Sequence, residues 1–153
     1  MLPGRYRRQS IDISQYKVNE FIPAADTGWG GCGATAISLL TGIRVNRLER
    51  GHTGIHFSDQ WMVTQLRKRG YTTVPLRWKE FNSDHLIYYP ITPNHVLLVS
   101  QLMFKREASW LVYYNGDAYH NFQKLTMHPY DLLNKPILTA YIVWHPKWGQ
   151  LVY

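Results

Sequence analysis

Three residues of this chain combine side-chain type and context in a way that could support nucleophilic catalysis: Cys32, His95 and Asn115. Cys32 is the only thiol, and it stands in the run Gly28-Trp29-Gly30-Gly31-Cys32-Gly33, just ahead of an apolar stretch that reads as a helix. A thiol at a helix N-terminus feels the positive end of the dipole and unpaired backbone N–H groups, which favour thiolate, the nucleophilic form. Gly30, Gly31 and Gly33 form a substrate-access loop in this reading: without Cβ atoms they let a substrate backbone approach the sulfur and let N–H groups turn toward an oxyanion. The competing reading is a packing cysteine, since free Cys is among the most buried residue types.

His95 follows Asn94 at the start of the apolar run His95-Val96-Leu97-Leu98-Val99. An imidazole at the lip of a sheet can take the proton of a helix-borne thiol and return it to a leaving group. Asn115 ends the next run, Trp110-Leu111-Val112-Tyr113-Tyr114, and Gly116-Asp117 follow it. If the two runs pair as a hairpin, the start of one faces the end of the other, and Asn115 reaches the imidazole and fixes its tautomer. Asp117 is the second candidate for that place. Asn-Gly-Asp is also ordinary turn chemistry. The other histidines, His52, His56, His85, His120, His128 and His145, lie in polar or loop contexts.

The elements that must position these groups are readable in outline. Ala34 to Thr41 reads as a short buried helix stopped by Gly42, with Cys32 at its N-terminus. Ser58 is an N-cap type, Trp61, Met62, Gln65 and Leu66 follow at helical spacing, and Arg67-Lys68-Arg69 before Gly70 complement the C-terminal dipole. Tyr71 to Trp78 reads as extended. The runs 95–99 and 110–114 read as an antiparallel hairpin with a polar connection holding Lys105, Arg106 and Glu107. A short helix around Pro129 to Leu133 and a last strand, Ile137 to Trp144, close the chain. Helices first and strands later imply an α+β fold, helices packed on a C-terminal antiparallel sheet.

The 153 residues suit one domain: an N-terminal arm over 1–26 and a globular unit over 27–153. Apolar types at 45% and charged types at 18% exclude a disordered chain. One cysteine excludes an internal disulfide and a multi-thiolate zinc site, and no metal or organic cofactor is implied. The N-terminus lacks the apolar core of a secretory signal and no stretch is long enough to span a bilayer, so the expectation is a cytoplasmic or virion-associated protein. Seventeen Lys and Arg against ten Asp and Glu give +7, which favours anionic partners. The clusters Arg5-Arg7-Arg8 and Arg67-Lys68-Arg69 fit no recognisable nucleic-acid module, so nucleic acid stays a lesser partner class than peptide or protein.

The order Cys32, His95, Asn115 resembles the papain-like cysteine peptidases, and most closely the peptidases that remove double-glycine leaders from bacteriocin precursors. Cys-Gly-x-x-Ala at 32–36 is similar to that family's nucleophile motif. Val45 to Leu48, the helix ending at Gly70, the run Pro-Ile-Thr-Pro-Asn-His at 90–95, the segment Phe122 to Leu133 and the last strand are also similar, over about 27–145. Asp26 stands where those peptidases carry a Gln that donates to the oxyanion. The segment Asp26 to Cys32 is instead similar, with one extra glycine, to the Asp-x-Gly-Trp-Gly-Cys of autophagy-type cysteine proteases.

The resemblance implies acyl transfer on a peptide, isopeptide or amide bond, with Cys32 attacking, His95 shuttling the proton and Asn115 or Asp117 orienting the ring. The backbone N–H of Cys32 would be one oxyanion donor, with the Trp29 indole or the Thr27 hydroxyl as the second. Two alternatives stand beside it: a cell-wall amide hydrolase with a similar constellation, and a catalytically inactive papain-like module used for binding or as part of an assembly such as a phage particle.

Overall fold

The computed structural model describes residues 13–25, 28, 31–48, 57–76, 94–104, 107–125 and 135–148. Helix α1 (Cys32–Thr41) is followed by the single-turn α2 (Val45–Leu48) and by α3 (Asp59–Arg67). The strands are β1 (Thr72–Leu76), β2 (Val96–Phe104), β3 (Glu107–Tyr114), β4 (Asp117–His120), β5 (Gln123–Lys124) and β6 (Ile137–Trp144). They form one sheet in the order β1-β6-β2-β3-β4-β5, with every neighbouring pair antiparallel. The α+β class expected from the sequence is the class observed.

Local chemistry explains the helices. Gly42 closes α1 in the left-handed conformation, with φ 80°, and its N–H donates to Ser38 O at 2.7 Å. Ser58 caps α3 by accepting from Trp61 N at 3.1 Å, and Asp59 and Arg67 sit at the dipole ends that favour them. Every residue of α1 from Gly33 to Leu40 is buried. A helix buried on all sides must be enclosed by the rest of the fold, and α1 packs across β3 beneath α3 and α2.

Side chains alternate along the central strands. Val96, Leu98, Trp110, Val112 and Val143 join the helices in one core. Leu97, Val99, Ala140 and Ile142 form a second core with Val74 on the other face. Burial on both faces is why β2 reads as an unbroken apolar run. The arm also joins the main core: Val18 and Phe21 are 0% and 6% exposed, and Val18 N donates to Asn94 O at 2.8 Å.

Two expectations about the hairpin need correction. The strands run well past 99 and 110, and Ser100 and Gln101 are buried in the sheet, where a polar connection was expected. Gln101 is tolerated there because its amide donates to Lys135 O at 2.9 Å and accepts from the Tyr113 hydroxyl. Strands β4 and β5 were not anticipated at all. The expected helix at 129–133 lies outside the described residues, as do residues 77 and 78 of the expected extended stretch.

One phenol ties the sheet to a helix and another joins two of its strands. Tyr141 on β6 donates to Asp59 Oδ2 of α3 at 2.8 Å, and burial first, then the Asp59 hydrogen bond and charge, push its pKa from 10.0 up to about 12. Burial raises Tyr113 as well, against a smaller lowering by Gln101. Both phenols are held protonated in the folded state, so their contribution is intact below about pH 10, the unfolded value, and is lost as pH rises through the folded values. Urea unfolding midpoints are therefore expected to fall above pH 10, and Tyr141→Phe is expected to make that fall shallower without abolishing it, because Tyr113 remains.

Candidate functional site

Cys32 opens α1 as expected, and it is half-buried. Its Sγ accepts the backbone N–H of Trp110 at 3.3 Å. That N–H needs a partner: β4 pairs with β3 only from Val112 to Tyr114, and the chain turns away at Asn121 and Phe122, with φ 52° and 68°. The sulfur thus satisfies a sheet donor that β4 has left, where an unpaired buried donor would cost about 1–3 kcal/mol. The Trp110 indole Nε1 donates to Phe57 O at 2.9 Å, and Phe57 packs on Trp61 with ring centroids 4.4 Å apart.

Polar company at Cys32 comes from residues not anticipated in the sequence. Thr35 Oγ1 lies 3.0 Å from both Cys32 O and Asn121 Oδ1. A hydroxyl has one proton, so either it alternates between these acceptors or the amide turns and donates its N–H to the hydroxyl. Thr35, three residues beyond Cys32 on the same helical face, was recoverable from spacing. Asn121 was not, because its place depends on β4.

The structure does not bring Cys32 and His95 together. Trp110, which holds the sulfur, pairs with Ser100 on β2, whereas His95 precedes Val96, which pairs with Tyr114. Five residues of strand separate the two places, about 16 Å. The far end of α1 lies near His95 instead: the Tyr71 hydroxyl donates to Leu40 O, Ala24 N donates to Leu39 O, and Phe21 stacks edge-on with Tyr114. Helix α1 therefore runs in the direction that carries Cys32 away from His95. His95 itself is 2% exposed.

His95 and Asn115 adjoin the last pair of the β2–β3 ladder, Val96 with Tyr114. Asn115, however, makes no side-chain hydrogen bond among the described residues and is exposed. With φ 53° at Asn115 and 84° at Gly116, the pair forms the two-residue turn joining β3 to β4, and Asn-Gly suits such a turn because both positions need positive φ. Asp117 faces Lys124 Nζ at 3.5 Å in an exposed pair, an arrangement that contributes little.

The glycines also have other duties. Gly33 lies inside α1, and a Cβ there would come 2.4 Å from Phe57 Cδ2. Its missing side chain makes room for Phe57, where access for a substrate was expected. Gly31 is the buried residue preceding α1, with φ 94°. Asp26, Thr27, Trp29 and Gly30 lie outside the described residues, so of the expected oxyanion donors only the Cys32 N–H is placed.

Of the remaining imidazoles, His120 is half-buried on β4 with Nε2 unpaired, and burial lowers its pKa. Its neighbours settle which way it faces: Tyr119 packs toward the helices, and Ala118 packs on the other face with Leu111. Alternation puts His120 with Ala118, away from Cys32. His145 accepts from Lys147 N at 3.1 Å, and burial, then Lys147, lower its pKa. His52, His56, His85 and His128 lie outside the described residues. Among the described residues no group of three or more His, Cys, Asp or Glu could hold a metal, and no helix is long and apolar enough to cross a membrane.

Comparison of the chain with protein-family models finds no match, and comparison with curated proteins finds none either.

Two substitutions test these assignments by urea unfolding. Asn115→Ala is expected to cost about 1 kcal/mol and Asn115→Gly close to nothing; equal losses would mean that the amide, and not the turn conformation, matters. Gly33→Ala is expected to cost about 1–3 kcal/mol through the clash with Phe57, and an unchanged midpoint would show that the ring can withdraw.

Proposed function

We propose that the chain serves as a binding or assembly module on an α+β frame resembling the papain-like peptidases, and that it does not hydrolyse substrate through Cys32, His95 and Asn115. One observation carries this reading: the Cys32 thiol is engaged by the N–H of Trp110 midway along β3, whose partner on β2, Ser100, lies five residues beyond His95. Acyl transfer by a thiol needs a base within hydrogen-bond reach of the sulfur, or one water away. The base expected from the sequence is too far along the sheet to serve. With a net charge of +7, the partner favoured by long-range attraction is an anionic molecule or surface.

A second reading keeps a thiol hydrolase acting on a peptide, isopeptide or amide bond, with Cys32 as nucleophile. It is favoured by the thiol's place at the first residue of a ten-residue helix and by the N–H directed at the sulfur, both of which set positive partial charge beside that atom. A base other than His95 would then have to act.

The two readings diverge in the reactivity of the single thiol. Alkylation of the native chain by iodoacetamide, followed by mass spectrometry from pH 5 to 9, is expected to be slower than that of free cysteine at every pH, because the sulfur is half-buried and engaged by Trp110 N–H. Alkylation faster than that of free cysteine at acidic pH would overturn the binding-module reading.

A further inference from the structure

At the end of α1 opposite Cys32 lies a cleft of about 460 Å³, a volume in the range of small-ligand sites. Its floor is the C-terminal turn of α1, with Leu39 and Leu40, and its wall is aromatic: Tyr71 lies 4.4 Å from His145 and 5.6 Å from Trp148 between ring centroids. Arg69 and Lys147 stand at the cleft, and no acidic residue lines it among the described residues. Ile22, 75% exposed, completes the rim as an apolar side chain that the fold itself leaves in solvent.

The state of Arg69 decides what this cleft can take. Its Nη1 donates to Gln65 O at 2.9 Å and to Gln65 Oε1 at 2.8 Å, which uses both protons of that nitrogen and anchors the guanidinium to a buried glutamine. Among the described residues the Nε–Nη2 edge meets no acceptor and keeps its parallel N–H groups for another partner. That edge matches the two oxygens of a carboxylate or phosphate, and a guanidinium already anchored loses less entropy on binding. The C-terminus of α1 brings roughly half a negative charge to the same place. Three of its carbonyls are already paired, Ser38 O by Gly42 N, Leu39 O by Ala24 N and Leu40 O by the Tyr71 hydroxyl. Two full positive charges outweigh what is left.

We propose that this cleft binds a small organic oxyanion, its carboxylate or phosphate on the Nε–Nη2 edge of Arg69 beside Lys147, its apolar body against Tyr71 and Trp148. The assignment deepens the binding-module reading by naming a ligand class. It does not depend on whether Cys32 reacts, because the two sites occupy opposite ends of α1 and have separate readouts.

The test is a titration of the full chain with phenylacetate, phenyl phosphate and the neutral phenylacetamide, followed by amide and indole chemical shifts. Saturable shifts at Gly70 and the Trp148 indole with both anions, and at least about tenfold weaker binding of phenylacetamide, are expected. Either order of the two anions supports the proposal and identifies the preferred oxyanion. Arg69→Gln should weaken both anions by about tenfold, and Arg69→Lys, which keeps the charge and loses the fork, by a smaller factor. Should Arg69→Gln fail to fold, Lys147→Gln at an exposed position is expected to weaken the anions severalfold and leave phenylacetamide unchanged. Equal binding of the amide and the acids, no saturation with any probe, or anion binding indifferent to both Arg69→Lys and Lys147→Gln would overturn the proposal.

Discussion

The direction of α1 across β3 is the constraint on which the rest of this molecule depends. A ten-residue helix buried from Gly33 to Leu40 can satisfy its apolar surface lying either way along a strand, so burial alone does not choose. Two polar joints fix the choice. At the N-terminus the Cys32 sulfur takes the N–H of Trp110 that β4 leaves unpaired, and at the C-terminus Leu40 O takes the Tyr71 hydroxyl. Reversing the helix would strand both groups, at a cost of about 1–3 kcal/mol for each one buried. With the direction set, Phe57 closes on Gly33, the Thr35 hydroxyl lies between Cys32 O and Asn121, and the opposite end meets Tyr71 and Trp148.

Helix direction is also what the sequence could not reveal. Periodicity, caps and turn residues are local, and they made α1, the Ser58 cap and the exact span of β6 legible. The order of Cys32, His95 and Asn115 along the chain carries no information about which end of a strand a helix terminus meets. Two polarities of packing share the same residue order, and only one of them assembles a triad.

The other misreadings have a common physical source. Asn115-Gly116 carries both a hairpin-turn signal and a plausible catalytic amide; reading it as the second concealed β4 and β5 and, with them, Asn121. Ser100 and Gln101 look like connection residues because their cost of burial is visible in the sequence, whereas the partners of the Gln101 amide, Lys135 O and the Tyr113 hydroxyl, lie 34 and 12 residues along the chain. Gly33 beside a cysteine suggests open access, but a missing Cβ is equally a space for a neighbour's ring, and here the neighbour is 24 residues away. In each case the residue type was informative and the long-range partner decided its meaning.

The two ends of α1 consequently differ in chemical character. At the Cys32 end the polar groups answer one another: the sulfur receives an N–H, and the Thr35 hydroxyl meets Asn121 and Cys32 O. At the other end the helix carbonyls are answered, but the cations are not: one nitrogen of Arg69 is anchored and the remaining edge of its fork is left over, next to aromatic faces and an exposed Ile22. Surface cations are ordinarily content in water, and a free guanidinium alone would signify little. An anchored one differs because its ordering entropy is already lost in folding, so an incoming oxyanion gains the fork without that cost. The asymmetry thus sets a thiol already engaged by a sheet N–H at one end of α1 against, at the other, a basic turn before Gly70 whose guanidinium fork has no protein partner among the described residues.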